Sequence, residues 1–129
     1  MSVVGVGVDL VRIERIRSIL DGPAGDGFVA SAFTDAEVDA AHGDGDPAVA
    51  FAVRFAVKEA VFKSFQVQLA AGDQLRDIEV REDGAHAPSV MLSGRFAALL
   101  AEKQAASPLV SVSFEDDHVV AVAVLAGAS

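Results

Sequence analysis

Ala48-Val49-Ala50-Phe51-Ala52-Val53-Arg54-Phe55-Ala56-Val57-Lys58-Glu59-Ala60-Val61-Phe62-Lys63 is the stretch from which the rest of the chain can be read. It is apolar nearly all round, the mark of a helix buried on every side. Pro47 stands just ahead of it, where helices prefer to begin, so a long central helix is predicted over residues 47–66. Arg54, Lys58, Glu59 and Lys63 interrupt the apolar surface. Charge in a buried helix is costly unless paired or ligated, so each of these needs a partner. Arg54 and Lys58 are four apart and share a face; Glu59 and Lys63 are also four apart, acid first, the favoured order for a pair. On a polar helix these would be ordinary ion pairs and solvated bases. On this one they read as groups gathered for a ligand.

The flanking segments supply a sheet. Val4, Val6 and Val8 alternate with Gly5, Gly7 and Asp9, a period of two that predicts a strand over residues 3–9. A helix is predicted over 10–20, with Leu10, Ile13, Ile16 and Leu20 on one side, and the Gly- and Asp-rich run 21–27 reads as a loop. Thr34 and Glu37 form a capping box that opens a short helix, ended by residues 42–46. Beyond the long helix, strands are predicted over 75–81 and 88–92, joined across Glu82-Asp83-Gly84. A helix over 93–104 stops at Ser107-Pro108, and a hairpin of 110–114 and 118–125 closes the chain. The order β-α-α-α-β-β-α-β-β defines an α+β fold: a single domain, residues 1–129, with a mainly antiparallel sheet covered by helices and one long central helix.

Composition narrows the function. At 129 residues the chain can bury a core without covalent staples. Its 52% hydrophobic content, above the usual share, implies apolar surface buried between subunits. The absence of cysteine excludes disulfides, thiolate catalysis and cysteine-bound zinc, and fits a reducing cytoplasm. Met1 to Gly5 lacks the pattern of a signal peptide, and the longest apolar run, 119–127, falls short of the roughly 20 residues that span a bilayer. The expectation is a soluble cytoplasmic protein without membrane partners. The formal net charge of −9 disfavours nucleic-acid binding. The scarce bases are concentrated at Arg12, Arg15 and Arg17 and at Arg54, Lys58 and Lys63, as in a protein that builds anion sites.

Gly5 and Gly7 fall on the same strand face as Asp9, and glycine within a strand marks close backbone approach. Asp9, read at the end of its strand, serves equally as the N-cap of the next helix or as a ligand. Asp9 and Glu59 are hard oxygen donors, and Arg54, Lys58 and Lys63 are cations. Magnesium is held in just this way, by one or two carboxylates and substrate phosphates, and phosphoryl transfer adds cationic clamps to the metal.

Two motifs carry a resemblance. Val4-Gly5-Val6-Gly7-Val8-Asp9-Leu10 resembles the opening G-[IV]-G-x-D-[IL] of acyl-carrier-protein synthases, and Arg54 to Lys63 resembles their R-F-A-x-K-E-A-x-x-K. Phe33-Thr34-Asp35-Ala36-Glu37, Asp77-Ile78-Glu79-Val80, Leu92-Ser93-Gly94 and Val110-Ser111-Val112-Ser113 fall at matching places, so the likeness spans nearly the whole chain. The resemblance implies a 4′-phosphopantetheinyl transferase that moves the pantetheine arm of coenzyme A to a serine of an apo acyl carrier protein. Asp9 and Glu59 would hold Mg2+ against the pyrophosphate, and Lys63 would contact the attacked phosphate. Arg54, Lys58 and Ser113 would bind the coenzyme. Glu59 would help deprotonate the serine, and adenosine 3′,5′-bisphosphate would leave. Arg15 and Arg12 would meet the acidic helix of the carrier, and the protein would be a homotrimer with interfacial sites.

Three departures from the family pattern touch the coenzyme site. Ser113 is followed by Phe114 in place of His, Ser64-Phe65-Gln66-Val67-Gln68 replaces a glycine-rich turn, and Gly84-Ala85-His86-Ala87-Pro88 stretches a G-x-P segment. They motivate a rival reading, a noncatalytic module of the same fold that binds a carrier protein or coenzyme A. His42, His86 and His118 lack ligand spacing and read as surface residues, and no nucleophile elbow or dinucleotide fingerprint is present.

Overall fold

The computed structural model describes residues 2–43, 45–82 and 87–128. β1 (Val3–Arg12) outruns its predicted end because β4 (Leu109–Glu115) and β5 (His118–Ala126) form a hairpin long enough to pair with it. Leu10 lies opposite Val120, Val11 opposite Val119 and Arg12 opposite His118. The Ile13 N–H then donates to the Asp117 carbonyl at 2.8 Å, which fixes the chain to the hairpin turn. α1 (Ile13–Asp21) therefore starts at Ile13, and Leu10, predicted on the apolar side of that helix, is a strand residue 65% exposed.

α2 (Gly25–Ala32) occupies part of the predicted loop and makes the observed order β-α-α-α-α-β-β-α-β-β. Local propensity argues against a helix that opens Gly-Asp-Gly, but packing overrides it. Phe28 stacks edge-on against Phe33 at 5.4 Å, and Gly25 lets α2 approach α1 so closely that a Cβ there would lie 2.5 Å from the Leu20 carbonyl. α3 (Asp35–Ala41) carries the predicted capping box: Thr34 Oγ1 accepts the Glu37 N–H at 3.2 Å and Glu37 Oε1 accepts the Thr34 N–H at 2.9 Å.

α4 (Pro47–Ser64) is the predicted central helix, capped by Asp46, whose Oδ1 accepts the Ala48 N–H at 3.0 Å. It lies on the inner face of an antiparallel sheet ordered β1-β5-β4. Gly5 and Gly7 permit this, because a Cβ at either would come within 1.9 Å of the Ser64 or Ala60 carbonyl oxygen. Helix backbone thus rests directly on strand backbone, the close approach that the glycines predict. The expected antiparallel pairing is divided between two sheets, since β2 (Ile78–Arg81) and β3 (Ser89–Leu92) form a separate ribbon. Residues 75–77 form a 3-10 turn, which shortens the strand predicted from Leu75. α5 (Gly94–Glu102) covers Phe65 and Phe62 through Phe96. The predicted turn at Asp83-Gly84 and His86 lie outside the described residues.

Among the described residues nothing covers the outer sheet face. Val6, Val8 and Leu10 of β1 and Leu109 of β4 are more than half exposed there, beside Val120, Val122 and Val124 of β5. A contiguous apolar sheet face of this kind is the sort of surface on which proteins associate. Among the described residues no helix is long and apolar enough to cross a membrane.

Candidate active site

Asp9 sits inside β1, four residues before α1 begins, so it is not the cap of that helix; Arg12 holds that position and makes no side-chain cap. Its place in the strand sends its side chain to the inner face, beyond Gly7, where the absence of side chains brings α4 close. Lys63 reaches it from α4: Nζ donates to Asp9 Oδ1 at 2.8 Å and to the Val8 carbonyl at 3.3 Å. The Asp9 side chain is 14% exposed and that of Lys63 49%, so the pair has one wet side.

Glu59 lies one helical turn before Lys63 and is half-buried. Desolvation pushes its carboxyl above the ordinary carboxylate range, and the charge of Asp9 pushes it further; Lys63 and Arg15 pull against them. Asp9, Glu59, Lys63 and Arg15 therefore feel one another across a single locality, although they come from β1, α4 and α1. Among the described residues no three His, Asp or Glu side chains form a metal cage. The two carboxylates nevertheless suit a hard cation that takes its remaining ligands from phosphate and water, and their mutual repulsion is what such a cation relieves. Asp9 and Glu59 are the residues that would hold it.

Lys58, expected among the coenzyme ligands, is elsewhere. It is 0% exposed, and Nζ donates to Glu37 Oε1 at 2.6 Å, the Ile78 carbonyl at 2.6 Å and the Leu75 carbonyl at 3.0 Å. An ammonium has three hydrogens, so none remains for a phosphate. Nζ also stands 5.3 Å from the Phe33 ring centroid, and burial draws its pKa down against the upward pull of Glu37. Lys58 ties α4 to α3 and β2 from within the core. Its partner Glu37 also accepts the Val80 N–H at 2.9 Å through Oε2. The sequence marks Glu37 only as a capping residue; the signal for its larger role is the need of a buried lysine for an acid.

Arg54 is 4% exposed and points to another wall of α4. Nη1 donates to the Ala50 carbonyl at 3.0 Å and Nη2 to Glu82 at 3.1 Å, while Nε has no partner among the described residues. It lines a cavity of about 340 Å³ with Glu82, Asp46 and Val53, away from Asp9 and Lys63. Ser113 pairs with Val120, as Leu10 does, which sets it on the outer sheet face, opposite Asp9. Phe114 pairs with buried Val119 and so shares the inner face with Asp9, 53% exposed at the sheet edge. Arg12 Nε lies 4.0 Å from Asp117 and Arg15 is exposed beside the acidic pair.

The fold is a small α+β domain in which a buried helix lies against a glycine-bearing strand, with an acid–lysine pair at their junction. Comparison with known proteins gives this arrangement its name. A sequence profile of the 4′-phosphopantetheinyl transferase superfamily matches residues 5–123, and the chain belongs to that family. A holo-[acyl-carrier-protein] synthase of Paramagnetospirillum magneticum is 40% identical over 127 residues, covering 95% of this chain and 94% of the relative. The crystal structure of the holo-[acyl-carrier-protein] synthase of Neisseria meningitidis superposes with a TM-score of 0.85 at 27% identity, covering 96% of this chain and 98% of that one. The Chronobacterium ammoniagenes synthase in complex with coenzyme A superposes with a TM-score of 0.82 at 27% identity over 97% and 98% of the two chains.

Proposed function

We propose that the chain is a magnesium-dependent holo-acyl-carrier-protein synthase, which transfers 4′-phosphopantetheine from coenzyme A to a serine of an apo acyl carrier protein and releases adenosine 3′,5′-bisphosphate. The observation that carries the reading is the meeting of Asp9, Glu59 and Lys63 at the junction of β1 and α4. Asp9 and Glu59 would hold Mg2+, which when bound would supply charge neutralisation at the pyrophosphate. Lys63, already at the wet edge, offers its ammonium to the attacked phosphate once that group displaces Asp9 as its acceptor. Glu59 accepts the serine proton, directly or through a water, and the desolvation that raises its proton affinity suits a general base. Arg54 binds a coenzyme phosphate from the cavity that it lines beside Glu82.

The apolar outer face supports a homotrimer. Ser113 on that face contacts coenzyme in a neighbouring subunit's site, which makes the sites interfacial. The same reading makes the protein a cytoplasmic enzyme. The rival, a noncatalytic binding module, draws on Phe114 and on the altered turn after α4; the intact Asp9–Lys63 contact speaks against it, since pure binding has no use for an attacked-phosphate clamp.

Incubation with coenzyme A, Mg2+ and a panel of apo carriers, followed by intact mass measurement, decides between them. The expected result is a gain of one phosphopantetheine that is lost in Asp9→Ala and Glu59→Ala and on chelation of the metal. Carrier binding without mass gain anywhere on the panel would overturn the reading.

A further inference from the structure

α4 hands the chain on at Lys63 itself. The Lys63 carbonyl accepts the Gln66 N–H at 3.1 Å, the Phe62 carbonyl accepts the Phe65 N–H at 3.2 Å, and Gln66 then turns the chain at φ 58. Residues 66–73 therefore begin three residues beyond the ammonium that meets Asp9. Two sides of this exit are occupied. Gly5 brings β1 against the Ser64 carbonyl, and Phe96 of α5 packs on Phe62 and Phe65 with ring centroids 6.0 and 5.8 Å apart. That leaves the 66–73 loop as the chain that continues the surface from Lys63.

Little in the loop's own sequence holds it in place. Gln66, Gln68, Leu69, Ala70, Ala71 and Gly72 are exposed, Leu69 to 66%, and of the loop's apolar side chains only Val67 packs against the core. A segment with so few buried apolar contacts opens easily. One polar clasp closes it. Arg95, in the first turn of α5, donates through Nη1 to Asp73 and to the Gln68 carbonyl, the latter at 3.2 Å. Asp73 Oδ2 also accepts the Ala70 N–H at 2.7 Å, and the Asp73 N–H donates to the Ala70 carbonyl at 3.0 Å. The Asp73 side chain is 3% exposed, so this is not a solvated surface bridge of the kind that contributes little. The anchor is itself fixed. The Ser93 N–H donates to the Asp77 carbonyl at 2.9 Å, and Gly94, at φ 58, lies so close that a Cβ would stand 3.0 Å from Asp77 Oδ2.

We propose that Arg95 and Asp73 are positioning residues for the coenzyme: their clasp holds residues 66–72 on one course beside Lys63, so that the loop is a preorganised wall along coenzyme A where it leaves the attacked phosphate. The ligand is taken from the transferase reading, on which this rests. Coenzyme A is too long to be held by Lys63 and two acids alone, and Gln66 and Gln68 expose their amides on this wall. Neither Arg95 nor Asp73 meets the reacting atoms. They act by ordering the loop before the ligand arrives, a cost that otherwise subtracts from affinity.

The test is Arg95→Gln. Coenzyme A affinity is measured by calorimetry, transfer by intact mass with each substrate varied, and backbone mobility by hydrogen exchange. Kd and KM for coenzyme A are expected to rise about tenfold, the scale of ordering a few side chains and a loop on binding. The kcat and the KM for the carrier should stay within about twofold, the split expected when ligand binding alone is weakened. Exchange should accelerate over residues 66–73 and not in α4. Arg95→Lys should bring the coenzyme KM back to within about threefold of the unmodified enzyme, because an ammonium has three hydrogens and can serve both acceptors that Nη1 serves. A loss spread evenly over kcat, both KM values and the protection of α4 would mark a merely structural pair and overturn the proposal, as would an unchanged coenzyme KM. No mass gain from the unmodified enzyme on any carrier overturns the transferase reading instead, and the calorimetric affinities for coenzyme A then still decide the role of the clasp.

Discussion

Glu59 carries the sharpest conflict between stability and function at the residue scale. Its carboxylate is desolvated on α4 and faces the negative charge of Asp9, and both effects disfavour its ionised form. In the metal-free protein this is a standing cost of folding. Glu59→Gln removes the charge and keeps the shape. It is expected to raise the melting temperature of the metal-free protein by a few degrees, read by calorimetry, while abolishing phosphopantetheine transfer. A lower melting temperature would mean that Glu59 is paired in a way the geometry does not show. Glu37 is the opposite case. Its carboxylate holds Lys58, the Thr34 N–H and the Val80 N–H in the core. Glu37→Ala strands a buried ammonium, and denaturant unfolding should show a loss of about 3–5 kcal/mol. The two acids also show what sequence reveals about a site. The approach of Lys63 to Asp9 is foreshadowed in the sequence, because charge on an apolar helix and an acid beside strand glycines are local signals. Lys58 was misjudged and Glu37 overlooked because burial and partnership are set by the tertiary arrangement, which periodicity does not encode.

At the scale of elements, α4 was legible almost to the residue, from its apolar run, Pro47 and Asp46. The extension of β1 and the existence of α2 were not. β1 is lengthened by hydrogen bonds to a hairpin more than a hundred residues away in sequence, and α2 forms over a poor helical sequence because Phe28 and Val29 need the core. The exit of α4 leads to another expectation. Gln66 adopts φ 58, left-handed backbone that glycine takes without strain, where the family pattern has a glycine-rich turn. Gln66→Gly should stabilise the protein by up to about 1 kcal/mol in denaturant unfolding. The Arg17–Asp46 clasp joins α1 to the cap of α4 and predicts a pH effect. Hydrogen bonds from Arg17 and from the Ala48 N–H hold the Asp46 carboxyl below its ordinary value. A carboxylate lowered in the folded state contributes stability above its unfolded pKa, and that contribution disappears as pH falls through the folded value. The melting temperature of Asp46→Asn should therefore lie below that of the unmodified protein near neutrality and converge with it in acid.

For the molecule as a whole, the outer sheet face is the surface on which the proposed homotrimer would assemble. Val8 and Leu10 alternate along β1 with Gly7 and Asp9, so the strand that places the acid also presents the exposed apolar row. Val8→Lys is expected to dissociate the oligomer to monomers in sedimentation analysis and, with the sites interfacial, to remove transfer activity. A variant that remains assembled would show that another surface joins the subunits. The 52% hydrophobic content hinted at such a face, but composition does not say which strand carries it; that required the register of β1 against β5.

The bare contact between β1 and α4 has a further consequence. At Gly5 and Gly7 main chain lies on main chain, with no flexible groups between them to act as a cushion. In the proposed metal site, the spacing of the two backbones that carry Asp9 and Glu59 would therefore be set like the jaws of a caliper rather than by a compressible filling. Jaws that cannot spread discriminate by ionic radius, so Mn2+ should replace Mg2+ with little loss of rate, whereas the larger Ca2+, which demands more ligands at longer distance, should occupy the gap and stall the reaction.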